Sequence, residues 1–281
     1  MKFTEIPYIH LEYKEVSEKL SSLIDKFKNS TNVNEAVENY NKVYEYSNYI
    51  KTMFALSYIR NSLDITDEYY EKELTHGYEM QPKFESMFQE MIKATLKSPF
   101  RKELEEKWGK LLFINQELIF KTVSPEVIEE LQEENKLVSE YRKLTASAKI
   151  EFDGKSLNIS QMNAYLENKD RDIRKNALTA MANWYIENKE EFDRIFNELV
   201  NLRVTIAKKL GCENFVELAY YRRKRNCYDS KMVAEFRKGV LEHIVPVITK
   251  LKEKQAKRIG VDNIKIYDNL FRYLDGNPTP V

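Results

Sequence analysis
Glycine and proline are scarce: seven of each in 281 residues. That leaves little material for turns and favours long elements over many short ones. It also leaves no room for glycine-built phosphate or nucleophile loops. No G-x-x-x-x-G-K-[ST], G-x-G-x-x-G or G-x-S-x-G occurs. Histidine is scarcer still. His10, His76 and His243 are the only three, and none lies in H-E-x-x-H or in a His-x-x-x-His pair. Two imidazoles therefore never share one helix face by sequence, and a protein-only zinc site would need ligands from distant segments. His243 follows Glu242 on a predicted helix, but without a second histidine it reads as an ordinary helix residue.

Cysteine is limited to Cys212 and Cys227, with no C-x-x-C. A disulfide framework is excluded, and the chain reads as cytoplasmic with both thiols reduced. Neither thiol has local context for a Cys–His nucleophile pair. No apolar run approaches the length needed to cross a bilayer, and no signal-like segment follows Met1. Basic and acidic residues number 45 each, so no global charge recruits nucleic acid or an anionic membrane.

What is present is 42% apolar residues, 18 Tyr, 14 Phe and 32% charged residues. That mixture suits long amphipathic helices with charged outer faces. The zero net charge hides an asymmetry. Residues 1–140 carry 18 basic and 26 acidic residues, a net of −8, and residues 141–281 carry the opposite excess. Either the two halves dock on each other, or they form cleft walls of different sign.

The apolar spacing predicts the elements in order. Val16, Leu20, Leu23, Ile24 and Phe27 form one stripe, and Asn29 to Asn32 breaks it. A second helix runs from Val33 past Phe54. A third spans about Glu68 to Lys97, with a kink or break expected at His76-Gly77 and Pro82. Ser98-Pro99 and Ser124-Pro125 read as N-cap followed by proline at the first helical position. The period then changes to two. Ala148, Ile150 and Phe152 alternate with charged residues, and Asp153-Gly154 reads as a hairpin turn. Helices resume, with Asp170, Asn214 and Asp229 as caps, Gly211 and Gly260 as stops, and a bend at Pro246. A short strand is expected from Ile264.

The predicted fold class is mainly α: an array of long antiparallel helices with one small β-hairpin or sheet. The expected division is 1–145, an N-terminal helical domain, and 146–281, a hairpin with further helices. Paired carboxylates occur throughout and carry no specificity. The exception is Tyr220-Tyr221-Arg222-Arg223-Lys224-Arg225-Asn226-Cys227-Tyr228. Its aromatics and guanidiniums suit stacking on bases or clamping a peptide carboxylate. Equally, its arginines suit pairing with the acidic first half.

Several collinear stretches resemble one family. They are Leu144-Thr-Ala-Ser-Ala-Lys-Ile-Glu-Phe-Asp-Gly-Lys, Asp170-Arg-Asp-Ile-Arg-Lys-Asn-Ala, and Leu199-Val-Asn-Leu-Arg-Val-Thr-Ile-Ala-Lys-Lys-Leu-Gly. Asn214-Phe-Val-Glu-Leu-Ala-Tyr, Arg225-Asn-Cys-Tyr-Asp and Asp275-Gly-Asn-Pro-Thr-Pro continue the series, and Met1-Lys-Phe with Ile6-Pro7-Tyr8 looks like the family's opening. The run resembles the oligoendopeptidase F branch of the thimet-oligopeptidase-like zinc metallopeptidases, and its N-terminal portion only. The resemblance implies a soluble, mostly helical enzyme that cleaves short oligopeptides in a deep channel. It also implies a zinc held by H-E-x-x-H and a downstream Glu.

In the family those residues follow the region corresponding to Pro280, so no catalytic or metal-ligand residue carries over. The chain is expected to be scaffold and substrate-channel wall, inactive alone and binding no zinc itself. Tyr221, Arg225 and Tyr228 are the channel candidates. The expected partners are short oligopeptides and either the missing C-terminal catalytic part or a second copy covering an apolar face after about Asn158. Nucleic acid and membrane are not expected. The alternative is a non-catalytic helical module that binds peptides or a partner chain.

Overall fold
The structure is a computed structural model and describes residues 5–278. The Met1-Lys2-Phe3 opening and the terminal Thr279-Pro280-Val281 lie outside the described residues. The helices in order are α1 (Tyr13–Lys28), α2 (Val33–Leu63), α3 (Glu68–Leu96), α4 (Arg101–Trp108), α5 (Lys110–Phe120) and α6 (Ile128–Ala146). A hairpin of β1 (Ile150–Phe152) and β2 (Lys155–Leu157) follows. Then come α7 (Ile159–Met162), α8 (Arg171–Glu187), α9 (Lys189–Lys209), α10 (Phe215–Arg222), α11 (Ser230–Gly239) and α12 (Val245–Arg258). The fold is mainly α with one two-stranded antiparallel sheet. The chain forms two compact units: residues 1–139 with 198–227, and residues 140–197 with 228–281.

In the first unit the stripe of α1 buries Val16, Leu20, Ile24 and Phe27. These join Ile50 of α2, Phe84 of α3, Leu104 of α4 and Phe113 of α5 in one core. The start of α2 is fixed reciprocally. Asn32 accepts from Glu35 N at 3.0 Å, while Glu35 Oε2 accepts from Thr31 N and Oγ1 at 2.8 Å each. Asp67 caps α3 through its two bonds from Tyr69 N and Tyr70 N.

Of the kink or break expected in α3, no break occurs: the helix is unbroken across Gly77 and Pro82. Proline removes the N–H that would serve the Tyr78 carbonyl four residues back. Asn135 of α6 supplies a replacement, donating Nδ2 to Tyr78 O at 3.4 Å, and Gln132 donates to Glu79 O beside it. A side chain on another helix thus carries the bond that proline deletes. Gly77 has a packing reason. A Cβ there would sit 3.3 Å from the Phe54 ring.

Ser98-Pro99 does not open a helix as expected. Ser98 Oγ accepts from Phe100 N at 3.2 Å, forming a local turn, and α4 begins at Arg101. A second core in this unit joins Val127 and Leu131 to Ile206, Ala207, Cys212 and Leu218.

In the second unit the hairpin pairs Ile150 with Leu157, Glu151 with Ser156 and Phe152 with Lys155. Asp153 and Gly154 have φ of 53° and 68°, as a two-residue type I′ turn requires. Ile150 packs with Met162, Leu166 and Ala177, so helices cover the hairpin. Because Gly154 needs a left-handed backbone, Gly154→Ala should destabilise this unit by roughly 1–2 kcal/mol. Nothing lies within 4 Å of a Cβ there, so the cost is conformational. Thermal unfolding checks the shift.

Asp170, Asn214 and Asp229 cap α8, α10 and α11 as the sequence suggests. Before Pro246, where a bend is expected, the chain forms a π-helical turn over Val240–Ile244 that leads directly into α12. Such a turn releases the hydrogen bond that proline cannot make. The strand expected from Ile264 is absent. That segment holds a 3-10 turn at Ile266–Asp268, because Asp268 Oδ2 accepts from Lys265 N at 2.9 Å and closes the chain locally.

The helices after Tyr228 leave much apolar surface uncovered. No residue of α11 is buried. Phe236 is 71% exposed, Leu241 66% and Val247 53%, with Met232, Ile244 and Leu251 also exposed. Among the described residues no helix is long and apolar enough to cross a membrane.

Candidate functional site
The chain from Tyr220 to Arg225 ends α10 and turns sharply. Arg225 N donates to Tyr220 O at 3.0 Å and Lys224 N to Tyr221 O at 2.9 Å. Lys224 adopts φ 52° to close this turn. The two bonds form the wrap common at helix C-termini, here with lysine where glycine is usual.

Of the three predicted residues, Tyr221 and Arg225 lie in the first unit and Tyr228 in the second. Tyr221 is half-buried against the core of Val127, Leu131 and Leu218. Its hydroxyl donates to Glu217 Oε1 at 2.6 Å, and Lys121 Nζ sits 4.8 Å from its ring centroid. The bond to Glu217, helped by burial, pushes the Tyr221 phenol up to about 12. The same bond, with one from Glu213 N, holds the Glu217 carboxyl low. Arg225 lies over the Tyr220 ring at 4.6 Å. Tyr228 is 40% exposed.

Arg222, between these residues, follows the reading in which arginines pair with the acidic half. Its Nη1 donates to Glu134 Oε2 at 2.9 Å and Oε1 at 3.1 Å. Arg203 of α9 donates Nε to Glu134 Oε1 at 2.7 Å. Glu134 is buried and ties α6 to α9 and α10. Glu130, one turn earlier, pairs with Lys209. Acidic α6 thus meets basic partners from later in the chain within one unit.

This hub was not visible beforehand. Glu134 is one of 45 acidic residues, and its partners lie 69 and 88 positions away. The signal that existed was the position of Glu134 three residues after Leu131 and three before Leu137, on the apolar side of α6.

Around the hub lies a cavity of about 480 Å³, lined also by Lys51, Glu85, Phe88 and Gln89. Glu85 accepts from Gln81 Nε2 at 2.8 Å, yet burial pushes its carboxyl up against the pull of Arg222 and Lys51.

The histidines do other work. His10 Nδ1 lies 2.8 Å from Glu73 Oε2, and His76 Nε2 lies 3.0 Å from the Leu11 carbonyl. Tyr8 donates to the same Glu73 oxygen at 2.5 Å. Burial alone would raise Glu73, but these bonds and the histidine charges bring it below its usual range. Cys212 is buried, which raises its thiol, and Cys227 is exposed. Among the described residues no group of three or more His, Cys, Asp or Glu side chains can hold a metal ion. The described residues therefore offer no donor set that fits zinc.

Comparison with known proteins gives one answer. The peptidase M3 N-terminal domain family matches residues 3–123. A structure provisionally named an oligoendopeptidase F is 39% identical with a TM-score of 0.97, over 100% of this chain and 50% of that one. PZ peptidase A, solved with an inhibitor, is 42% identical with a TM-score of 0.97, over 99% and 50%. A provisionally named oligoendopeptidase F from Bacillus anthracis str. Ames is 42% identical with a TM-score of 0.96, over 100% and 52%. The chain spans about half the length of each. A search among curated proteins gives no significant match.

Proposed function
Because this chain carries an M3 peptidase N-terminal domain and is similar throughout to the N-terminal portion of oligoendopeptidase F-type structures, we propose that it is the scaffold of a zinc-dependent oligoendopeptidase. On this reading it forms one wall of a channel for short peptides, and a catalytic part outside this chain supplies the zinc and the hydrolytic residues. The observation that carries the reading is the match of the whole chain to half of each relative. The apolar face around Phe236 and Leu241 supports it, since a catalytic part has a surface to cover. Two free cysteines support a cytoplasmic location.

Within that wall, Tyr221, Arg225 and Tyr228 are the residues we assign to the peptide path. Arg225 offers a planar fork that matches a carboxylate, and the tyrosines offer rigid amphipathic surface. Glu134 acts behind them: it fixes Arg222 at the end of α10 and so positions the turn that carries Arg225.

The test is hydrolysis of a quenched oligopeptide. The 281-residue chain with added zinc should show no chelator-sensitive turnover. Co-expression with the C-terminal half of the Bacillus anthracis relative should restore it. Robust chelator-sensitive turnover by the chain alone overturns the proposal. Peptide binding with no turnover in any pairing favours a helical binding module instead.

A further inference from the structure
The cavity of about 480 Å³ in the first unit is built from α2, α3, α5, α6 and α10. Its volume is in the range that holds small molecules. One side is apolar, with Phe88, Ile92, Val123 and Val138. The other carries Lys51, Glu85, Glu134 and Arg222.

Two lining side chains are incompletely satisfied. Gln89 is buried, at 7% exposure, and spends its Nε2 on the Ile119 carbonyl at 3.0 Å. Its Oε1 has no partner among the described residues. Arg222 spends Nη1 on Glu134, and its Nη2 is buried with no partner either. Each such orphan costs about 1–3 kcal/mol. Native proteins rarely keep them, and an ion, water or ligand is a usual explanation where they do. One lone acceptor and one lone donor on a single cavity call for a molecule that offers the complementary pair.

Charge decides the nature of the acceptor. Glu134 is shared by Arg203 and Arg222, and Lys51 adds a third cation. Against these stand Glu134 and Glu85, and burial drives Glu85 toward its neutral form. With Glu85 either charged or neutral, cations are in excess. The partner for Arg222 is therefore anionic.

We infer that this cavity binds a small apolar molecule bearing one carboxylate and one N–H, the chemistry shared by an acylated apolar amino acid and the C-terminal residue of a short peptide. The carboxylate answers Arg222 Nη2 and Lys51. The N–H answers Gln89 Oε1. The apolar body lies against Phe88, Ile92 and Val138. Both orphan atoms are buried, so the ligand reaches them only when α3 and α10 part. The inference needs only this unit's residues and no hydrolysis, so its failure leaves the peptidase reading standing.

The experiment is calorimetric titration of the 281-residue chain with four probes: N-acetyl-leucine, leucinamide, octanoate and Ala-Ala-Leu. N-acetyl-leucine should bind, and leucinamide, which lacks the carboxylate, should bind at least about tenfold more weakly. Gln89→Met should weaken N-acetyl-leucine about tenfold and leave octanoate, which has no N–H, unchanged. A purely structural glutamine would not separate the two probes. The variant should fold, because the Ile119 carbonyl still accepts from Thr122 N at 2.9 Å and Thr122 Oγ1 at 2.7 Å. Ile92→Trp, which fills the cavity, should abolish binding of every probe. Binding of Ala-Ala-Leu as well assigns the site to peptide C-termini, and its exclusion assigns it to the free acylated amino acid. The inference is overturned if the folded chain binds no carboxylate probe, or if binding survives Ile92→Trp.

Discussion

Asp268→Asn is expected to destabilise the second unit by about 3 kcal/mol, because it strands a buried guanidinium. Arg174 is 1% exposed and Asp268 0%, which is unusual for charged residues. Arg174 Nη2 donates to Asp268 Oδ1 at 2.8 Å, and Nη1 donates to the Asn168 and Lys169 carbonyls at 2.7 and 3.0 Å. Its guanidinium also stands 4.2 Å from the Phe271 ring centroid. Arg171 adds a bond of 2.9 Å to Asp268 Oδ2, and the same oxygen closes the Ile266–Asp268 turn. One carboxylate thus holds α8 to a segment 94 residues later. Removing its charge leaves Arg174 with neutral oxygens only, the two backbone carbonyls and the new amide, and an aromatic face, which do not balance the cost of burying a cation.

The loss should appear as a fall of about 10 °C in the unfolding midpoint. Replacing both residues by apolar ones, Arg174→Met with Asp268→Leu, should cost less than the single change, since no charge is then left unpaired. Equal or greater loss in the double variant would show that the pair's charges are not what matters.

The same carboxylate predicts a pH dependence. Burial alone would raise Asp268, but the bonds from Arg171, Arg174 and Lys265 N bring it below its ordinary value. A carboxyl lower in the folded chain than in the unfolded one contributes stability above the unfolded value, about 3.9. That contribution drains as pH falls through the lowered folded value. Asp268→Asn should therefore flatten the acid limb of stability against pH below about 4, while Glu73, also held low, keeps part of the slope.

Much of this fold is legible because it is written locally. Asp170, Asn214 and Asp229 each bond to a backbone N–H within three residues, so composition and position suffice to read them. The hairpin is read from Asp153-Gly154 and three alternating residues on either side. The failures are also physical. At Pro82 the Tyr78 carbonyl is served by Asn135, 57 residues away, while α3 runs on unbroken. The missing strand after Ile264 depends on Asp268, whose lone pairs are claimed by α8. At the candidate site, Tyr221 and Arg225 were marked by their aromatic and cationic neighbours. Glu134 and Gln89 were not, because nothing in a single sequence distinguishes a buried carboxylate or amide from a solvated one on a charged helix.

The exposed face of the second unit yields the other large effect: the isolated chain is expected to self-associate, and two substitutions are expected to return it to a monomer. Met232, Phe236, Ile244, Val247 and Leu251 follow at steps of four, eight, three and four residues, and the π turn at Val240–Ile244 lies within the longest step. Natural monomers seldom leave such a stripe to water. Burying five side chains of this size gives roughly 10 kcal/mol in gross transfer free energy. Association itself costs about 4–15 kcal/mol, so the net attraction is modest and concentration-dependent. Sedimentation of the wild-type chain should show mass rising with concentration across the micromolar range. Phe236→Asp with Val247→Asp should abolish that rise and reduce binding of an apolar dye. The fold should hold, since neither side chain is buried and α11 has no buried residue to lose. The same pair of substitutions should prevent capture of the C-terminal half of a relative, because both partners would use one face. A wild-type chain that stays monomeric and dye-free at every concentration would mean that the stripe drives no association. Capture that survives both substitutions would put the catalytic part on another surface.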